Sequence, residues 1–253
     1  MKFTSSGSPR NPAVLLIHAM FLSEHMFQAV TSLLEEQYLV IRPTLDSHDV
    51  SESSEFLSAQ DEAAKILRYL QDHRITELEI LAGISLGGIV AFEVFRQNRI
   101  PVRRVFLDGA PFIRLSGFRI AFMAYVFQWI AHTSARYPDK KNVLDKLFPA
   151  HAEEMKRICA KISDTSIGNL AKACYTCELP DAISLDAGQS LTFLYGTKEK
   201  ASMCIPSLKK YTTCGLLIKE GYHHCEFLSK EPGKYAEMLT CEKPHNIKPA
   251  ESP

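Results

Sequence analysis

The chain has 253 residues, of which 46% are hydrophobic and 23% are charged, a composition typical of globular proteins and unlike that of disordered or fibrous chains. Its 29 basic and 29 acidic residues give no net charge with His neutral. No overall field would therefore attract nucleic acid, an anionic membrane or a strongly charged substrate. These totals favour a small ligand that is uncharged or matched by local charges.

Apolar runs of strand length alternate with longer segments of helical period through the first half of the chain. This alternation predicts parallel strands covered by helices. The predicted strands of this half are AVLLIHA (13–19), YLVIRPT (38–44), LEILAGI (78–84) and RRVFLDG (103–109), and the predicted helices cover 26–37, 54–73 and 86–98.

The regular alternation stops at residue 111. Residues 111–188 contain no convincing strand and at least three helical patterns, after which strands resume with SLTFLYG (190–196) and GLLIKEG (215–221), followed by a helix over 232–241. Strands on both sides of the helical segment are needed to complete one sheet. We therefore predict one core domain made of 1–110 and 189–241, a helical insertion over 111–188 and a disordered tail over 242–253.

The seven cysteines are an odd number, and the N-terminal MKFTSSGSPRNP lacks the apolar core and cleavage site of a secretory signal, which predicts a cytoplasmic location. Cys174 and Cys177 form a CxxC without a second pair at zinc-ligand spacing, so free thiols are predicted and no metal site. The apolar run IAFMAYVFQWIA (120–131) is shorter than the ~20 residues that span a bilayer. No stable membrane insertion is therefore expected.

The stretch AGISLGG (82–88) places Ser85 between Gly83 and Gly87. It follows an apolar strand and opens an amphipathic helix. A serine on such a sharp strand-to-helix turn has its hydroxyl raised above the sheet edge, and bulkier side chains two residues away would collide with the turn. The pattern therefore predicts a nucleophilic serine.

With this motif in place, the chain resembles the α/β-hydrolase family over residues 10–240. The resemblance implies an α/β fold, a mostly parallel sheet flanked by helices, with 111–188 as a helical lid over the site. The family's His-Gly after the first buried strand appears here as His18 and Ala19. The resemblance then implies that the backbone N–H groups of Met20 and Leu86 form the oxyanion hole, while His18 anchors the loop.

A second family signature, Asp-x-x-Gly-His-Gly-x-Ser, appears only as TLDSHDVS (44–51), which retains His48 and Ser51 but not the glycines. This departure separates the chain from the commonest members of the family. It leaves the catalytic groups untouched.

A serine nucleophile needs an imidazole within hydrogen-bonding reach, and nine histidines are available. The family places its catalytic histidine in a loop after the last strand, where this chain has EGYHHCEF (220–227). His224 aligns with the catalytic position, and His223 is the alternative.

The third member of a catalytic triad is an acid that orients the imidazole. The family's Tyr-Gly-x-x-Asp after the penultimate strand reads LYGTKEK here, which puts Glu199 in place of the aspartate. Asp108 in VFLDGAP is the alternative, because some hydrolases carry the acid after that strand. Both acids fit the chain order serine, acid, histidine.

The segment FRIAFMAYVFQWIAHTSARY (118–137) is apolar on more than one helical face. Such a helix is expected to be covered on two sides, by the core below it and by other lid helices or ligand. Phe122, Tyr125 and Trp129 are candidate substrate-binding residues on this basis. The alternative is plain packing of the insertion on itself.

The resemblance implies a serine hydrolase that cleaves carboxylic esters, or thioesters, of small hydrophobic acyl groups through an acyl-enzyme. No metal or organic cofactor is implied, the expected partner is a small-molecule ester, and the oligomeric state is left open. The alternatives are a non-catalytic ligand-binding or sensory protein that retains the pocket, and another reaction of the same triad, such as carbon-carbon bond hydrolysis.

Overall fold

The computed structural model of the protein describes residues 1–241, apart from the side chain of Leu147. The tail over 242–253, predicted to be disordered, lies outside the described residues.

Seven strands form one sheet within the described residues. The strands are β1 (Lys2–Ser6), β2 (Ala13–Ile17), β3 (Leu39–Thr44), β4 (Leu78–Ile84), β5 (Val102–Asp108), β6 (Ser190–Gly196) and β7 (Gly215–Lys219). Their order across the sheet is β1-β3-β2-β4-β5-β6-β7. All neighbouring strands are parallel except β1, which pairs with β3 in the antiparallel direction. The predicted mostly parallel sheet flanked by helices is confirmed.

Ten α-helices accompany the sheet in this part of the chain. They are α1 (Gln28–Leu34), α2 (Ala59–Asp72), α3 (Leu86–Arg96), α4 (Gly117–Arg136), α5 (Val143–Leu147), α6 (Ala152–Cys159), α7 (Asp164–Thr176), α8 (Ile205–Leu208), α9 (Glu226–Lys230) and α10 (Pro232–Thr240). Short 3₁₀ turns precede α1 and α8, at Glu24–Phe27 and Lys200–Cys204.

The core lies on both faces of the central strands. Every residue of β2 is buried, and β4 is buried except at Glu79, as expected for parallel strands that are covered by helices on both sides. The helix α2 shows the complementary pattern, because its buried apolar side chains lie on one stripe and the helix packs against α3. Ser58 caps its first turn by accepting a hydrogen bond from the Asp61 N–H.

The antiparallel edge strand β1 was not predicted from the sequence. Its residues KFTSS are mostly polar, and none of them is fully buried. An edge strand needs few apolar residues because one side of it pairs with no neighbour. The backbone pairing with β3, from Lys2 opposite Thr44 to Ser6 opposite Val40, holds it in the sheet.

The segment between β5 and β6 contains the four helices α4 to α7 and no strand. The helix α4 packs against α6 and α7, and α7 also packs against α3 of the core. The chain thus leaves the sheet at the carboxyl end of β5 and returns to it at β6 after building a helical layer. None of the helices in residues 1–241 is both long and apolar enough to cross a membrane.

Candidate active site

Ser85 occupies the single residue between β4 and α3, with φ 55° and ψ −116°. A non-glycine residue at positive φ with this ψ is strained by about 1–3 kcal/mol and persists only when its surroundings enforce it. The Ser85 N–H donates a hydrogen bond to the Asp108 carbonyl (2.7 Å). The hydroxyl does not cap α3, so the turn holds Ser85 without using its side chain.

Gly83 and Gly87 make this turn possible. A Cβ at Gly83 would lie 2.1 Å from the Gly87 carbonyl oxygen, and a Cβ at Gly87 would lie 2.1 Å from the Ile17 carbonyl oxygen. Both contacts are with backbone, which cannot move aside without displacing a strand or the helix. The spacing of glycines around Ser85 therefore has a steric cause.

The carboxyl ends of four adjacent strands meet beside Ser85. Ile84 at the end of β4 pairs with Asp108 of β5, Asp108 pairs with Leu194 of β6, and Gly196 pairs with Lys219 of β7. Loops that leave this edge therefore converge in space.

The structure brings Glu199 and His224 together at this edge. The His224 Nδ1 lies 2.5 Å from Glu199 Oε2, and the other carboxylate oxygen accepts a hydrogen bond from the Gly196 N–H (2.6 Å). The Glu199 side chain is almost completely buried, while that of His224 is 28% exposed. With Nδ1 held by the carboxylate, the Nε2 of His224 is left to act toward a reactant.

The backbone at Gly109 links this pair to the turn that carries Ser85. A Cβ on Gly109 would meet Glu199 Oε2 at 2.8 Å and His224 Nδ1 at 2.9 Å, so the imidazole and carboxylate rest on the backbone next to Asp108. The carbonyl of Asp108 is in turn the acceptor of the Ser85 N–H. Within residues 1–241 the Ser85 hydroxyl makes no hydrogen bond to His224. Catalytic hydrogen bonds of this kind are often long or poorly aligned until substrate binds.

Opposing effects act on the pKa of His224. Burial lowers it, whereas the Cys225 sulfur and the Glu199 carboxylate raise it, and the net direction is well above the ordinary value. An ionised carboxylate favours the charged imidazolium. Glu199 therefore stabilises the form of His224 that would result from proton abstraction.

His223 and Asp108, the alternative base and the alternative acid, do not take part in this hydrogen-bonded pair. His223 is exposed, and its backbone N–H donates to Glu226 Oε2 (2.9 Å). Asp108 is buried next to the Tyr235 hydroxyl, which interacts with its carboxyl group, but among the described residues neither Oδ2 nor that hydroxyl forms a well-aligned hydrogen bond. Burial and the negative charge of Glu199 raise the pKa of Asp108 to about 7, against the opposing effect of His224. Glu199, and not Asp108, holds the imidazole.

The loop after β2 is fixed by His18. This imidazole is fully buried, accepts from the Leu45 N–H at Nε2 (2.9 Å) and places Nδ1 2.8 Å from the Ala19 carbonyl oxygen. Burial lowers its pKa well below the ordinary value, with the nearby His48 acting in the same direction. A neutral ring that bridges two backbone groups in this way anchors the loop that carries Met20.

Met20 and Leu86, the expected oxyanion donors, lie in the loop after β2 and at the amino end of α3. Leu86 is the first residue of α3, and Met20 follows Ala19 directly. No hydrogen bond from either backbone N–H is formed within residues 1–241. Both donors are therefore free to meet an oxyanion.

The three aromatic residues expected to bind substrate do not face the core. Phe122, Tyr125 and Trp129 are 59%, 65% and 55% exposed, whereas Phe127 on the opposite side of α4 packs against the core. The helix is apolar all round, so the sequence did not distinguish its inner from its outer face. The inward-facing aromatic residue of α4 is Phe127, and substrate binding by the three exposed residues stays a prediction.

Aromatic side chains missed by the sequence analysis surround the site. Phe127 of α4 meets Phe21, the neighbour of Met20, in an edge-to-face contact with ring centroids 6.2 Å apart, and it also stacks on Tyr175 of α7 (6.5 Å). Phe148, just after α5, lies edge-to-face against the His224 ring (6.4 Å). The helical segment thus places apolar side chains beside the loop that carries Met20 and beside the His224 ring. Of these aromatic residues, only Phe21 could have been placed near the site from the sequence, because it follows Met20.

One cluster of acidic side chains has the spacing of a cation site. Oxygens of Asp46, Asp61 and Glu62 lie within 4.8 Å of one another, but the ammonium group of Lys65 forms ion pairs with all three. The lysine already supplies the positive charge that a metal would bring.

The family model described as "Alpha/beta hydrolase family" matches residues 14–195. No curated protein matches the sequence. Solved structures with the same fold include an alpha/beta hydrolase family protein from Desulfitobacterium hafniense, with a TM-score of 0.75 and 21% identity over 94% of this chain and 98% of that one.

A thermophilic esterase from Thermogutta terrifontis gives a TM-score of 0.70 and 18% identity, over 94% of this chain and 90% of that one. The enol-lactonase from Burkholderia xenovorans gives 0.71 and 13%, over 94% of each chain. At these identities the likenesses show the fold, whereas the family model covers most of the sequence. The chain therefore belongs to the alpha/beta hydrolase family.

Proposed function

We propose that the protein is a serine hydrolase that cleaves carboxylic esters, or thioesters, of small hydrophobic acyl groups through an acyl-enzyme intermediate. One observation carries this proposal. A strained Ser85, whose hydroxyl makes no capping hydrogen bond, lies at the same edge of the sheet as the hydrogen-bonded pair of His224 and Glu199. An esterase and an enol-lactonase among the structural neighbours support the ester class, since a lactone is a cyclic ester.

In the proposed mechanism, a rotation of the Ser85 side chain brings Oγ to the Nε2 of His224. His224 takes the hydroxyl proton as Oγ attacks the substrate carbonyl carbon, and Glu199 stabilises the imidazolium through Nδ1. The backbone N–H groups of Met20 and Leu86 hold the oxyanion.

Collapse of the tetrahedral intermediate expels the alcohol or thiol, which receives the proton from His224. Water, deprotonated by the same imidazole, then attacks the acyl-enzyme and releases the carboxylic acid. Ser85 regains its proton in this last step, so the enzyme returns to its starting state.

The surroundings favour an apolar acyl group. The rings of Phe21, Phe127, Tyr175 and Phe148 lie beside the proposed oxyanion loop and the imidazole. We propose that the helical segment 111–188 acts as a lid through these contacts, excludes water and selects hydrophobic acyl groups.

We also place the protein in the cytoplasm. All seven cysteines are unpaired in the structure, and free thiols in this number are typical of a reducing compartment. Fractionation of cells with an antibody against the protein tests this part of the proposal, and recovery outside the cytoplasmic membrane would contradict it.

The reaction is tested with p-nitrophenyl esters of increasing acyl length and the matching thioesters. The matched pair His224→Ala and His223→Ala removes adjacent imidazoles, of which only His224 contacts Glu199. We expect His224→Ala to lower kcat/KM by about 10⁴-fold or more and His223→Ala to lower it by less than about tenfold. Equal losses in both variants, or no turnover by the folded wild type, would contradict the proposal.

A further inference from the structure

The outer face of α4 carries a continuous row of aromatic side chains. Phe118, Phe122, Tyr125 and Trp129 are spaced by four, three and four residues, which puts them on one face of the helix. They are 85%, 59%, 65% and 55% exposed. Single exposed hydrophobic residues are ordinary, but a contiguous row of large ones marks an interaction surface. We refer to these four residues as the aromatic stripe.

The opposite face of α4 already makes the packing contacts that the fold requires. Phe127 packs against the core, and Ala131 and Ser134 are buried. The aromatic stripe is therefore not needed to hold the helix in place.

The charged side chains of α4 and of the residues just before it are all basic. Residues 109–138 contain no Asp or Glu and include Arg114, Arg119 and Arg136, in a chain whose charges otherwise cancel. Arg119 forms no ion pair within residues 1–241, and Arg136 lies over the Tyr137 ring. Arg114 does pair with Glu178.

Two further groups complete the rim. His132 of α4 pairs with Asp164, the first residue of α7 (2.7 Å), so this acidic side chain already has a partner. Beyond the helix, the acidic Asp139 is followed by Lys140, which lies over the Tyr137 ring (4.8 Å), and by Lys141. The stripe thus has a rim with a surplus of positive charge.

We propose that the aromatic stripe docks on an anionic lipid bilayer, with α4 lying in the plane of the interface. Aromatic side chains settle at the boundary between headgroups and acyl chains, and arginines beside them attract anionic headgroups. The whole-chain charge predicts no attraction to such a membrane, but the local distribution along α4 does.

A second copy of the chain fits the stripe less well. Two copies that met through this face around a twofold axis would bring Arg119 and Arg136 of one copy toward the same residues of the other. Like charges in such an interface are unfavourable. An anionic surface is instead complementary to all of them.

Docking through α4 would also bring the candidate active site to the lipid surface. The inner face of the helix places Phe127 against Phe21, beside Met20. The bilayer would then supply water-insoluble acyl esters to the apolar walls. This statement about substrate rests on the proposed function, whereas the docking surface does not.

The experiment uses vesicles of phosphatidylcholine with about 30% phosphatidylserine and vesicles of phosphatidylcholine alone, in a flotation assay. Trp129 is the only tryptophan of the chain, so its fluorescence reports on the stripe directly. We expect the wild type to float with the anionic vesicles, its emission to shift to the blue, and added salt to weaken binding.

Variants locate the surface. Phe122→Ser/Tyr125→Ser keeps the reporter and should weaken binding by at least about tenfold. Arg119→Gln/Arg136→Gln should weaken it by about fivefold for each charge removed. The matched control is Leu33→Ser/Leu57→Ser.

Leu33 on α1 and Leu57 in the loop before α2 are 54% and 57% exposed and do not belong to the stripe, so their double variant should bind as the wild type does. Ser85→Ala should also bind normally, which separates a failure of the docking proposal from a failure of the proposed function. No binding by the wild type, or equal binding by the stripe variant, would overturn the proposal. A dimer in sedimentation analysis that the stripe variant abolishes would assign the stripe to a second copy instead.

Discussion

The replacement Asp108→Asn tests the electrostatics of the site without requiring a substrate. Asp108 is buried at the end of β5, and its Oδ2 forms no well-aligned hydrogen bond among the described residues. Burial and the charge of Glu199 raise the pKa of this carboxyl from 3.8 to about 7. Asparagine has nearly the same shape but does not titrate.

The sign and size of the effect follow from proton linkage. An unfolded chain loses the Asp108 proton near pH 3.8, whereas the folded protein keeps it until pH is about 7. Between these values the folded state binds more protons, so the free energy of unfolding of the wild type falls as pH rises. The difference corresponds to at most about 4 kcal/mol, at 1.36 kcal/mol for each pH unit.

The assay is urea unfolding of the wild type and Asp108→Asn at pH values between about 4 and about 8. Groups common to both proteins cancel in the comparison, and Asp186→Asn controls for the loss of one exposed charge. We expect Asp108→Asn to gain stability relative to the wild type as pH rises. If Asp108 were instead the ionised partner of His224, its pKa would be depressed and the difference would change in the opposite direction, which would refute this reasoning.

Three further predictions concern the triad and its turn. Glu199→Ala should lower kcat/KM for a p-nitrophenyl ester by about 10⁴-fold and Asp108→Ala by less than about tenfold; the reverse order would transfer the role of the acid to Asp108. Glu199→Gln should move the rising limb of the kcat/KM pH profile to lower pH, because the lost negative charge no longer raises the pKa of His224, and an unmoved limb would contradict that coupling. Gly87→Ala should destabilise the protein by about 3 kcal/mol or more, since the new Cβ would lie 2.1 Å from the Ile17 carbonyl oxygen; an unchanged Tm in calorimetry would show that the turn can relax.

Most of the sheet could be predicted from the sequence because its strands are buried on both faces and separated by helices of clear period. The strands over 78–84 and 190–196 were predicted with the bounds that the structure shows. Strand β1 could not be found in this way, since KFTSS has neither an apolar run nor a clear alternation. Its place depends on backbone pairing with β3, which local sequence does not encode.

The candidate site was predictable as a set of residues but not as a set of contacts. The motif around Ser85 and the loop with His224 are local patterns. The choice between Glu199 and Asp108 is not local, because both follow a strand at the same edge of the sheet and both satisfy the chain order. The hydrogen bond from Gly196 that orients the Glu199 carboxylate depends on the turn after β6.

The inner and outer faces of α4 could not be predicted from the sequence for a related reason. Periodicity assigns a helix face when apolar residues lie on one side, but here Phe127 and Trp129 are both aromatic and lie on opposite sides of the helix. Only packing against Phe21 and α7 shows which one turns inward.

Labelling with a fluorophosphonate probe, followed by mass spectrometry of the labelled peptide, tests directly whether Ser85 is the nucleophile. We expect one covalent label per chain, located on Ser85, lost in Ser85→Ala and strongly slowed in His224→Ala. A variant at the exposed Ser51, Ser51→Ala, should be labelled as the wild type is. A folded wild-type protein that takes up no label, or a label on another serine, would contradict the assignment of Ser85 as the nucleophile.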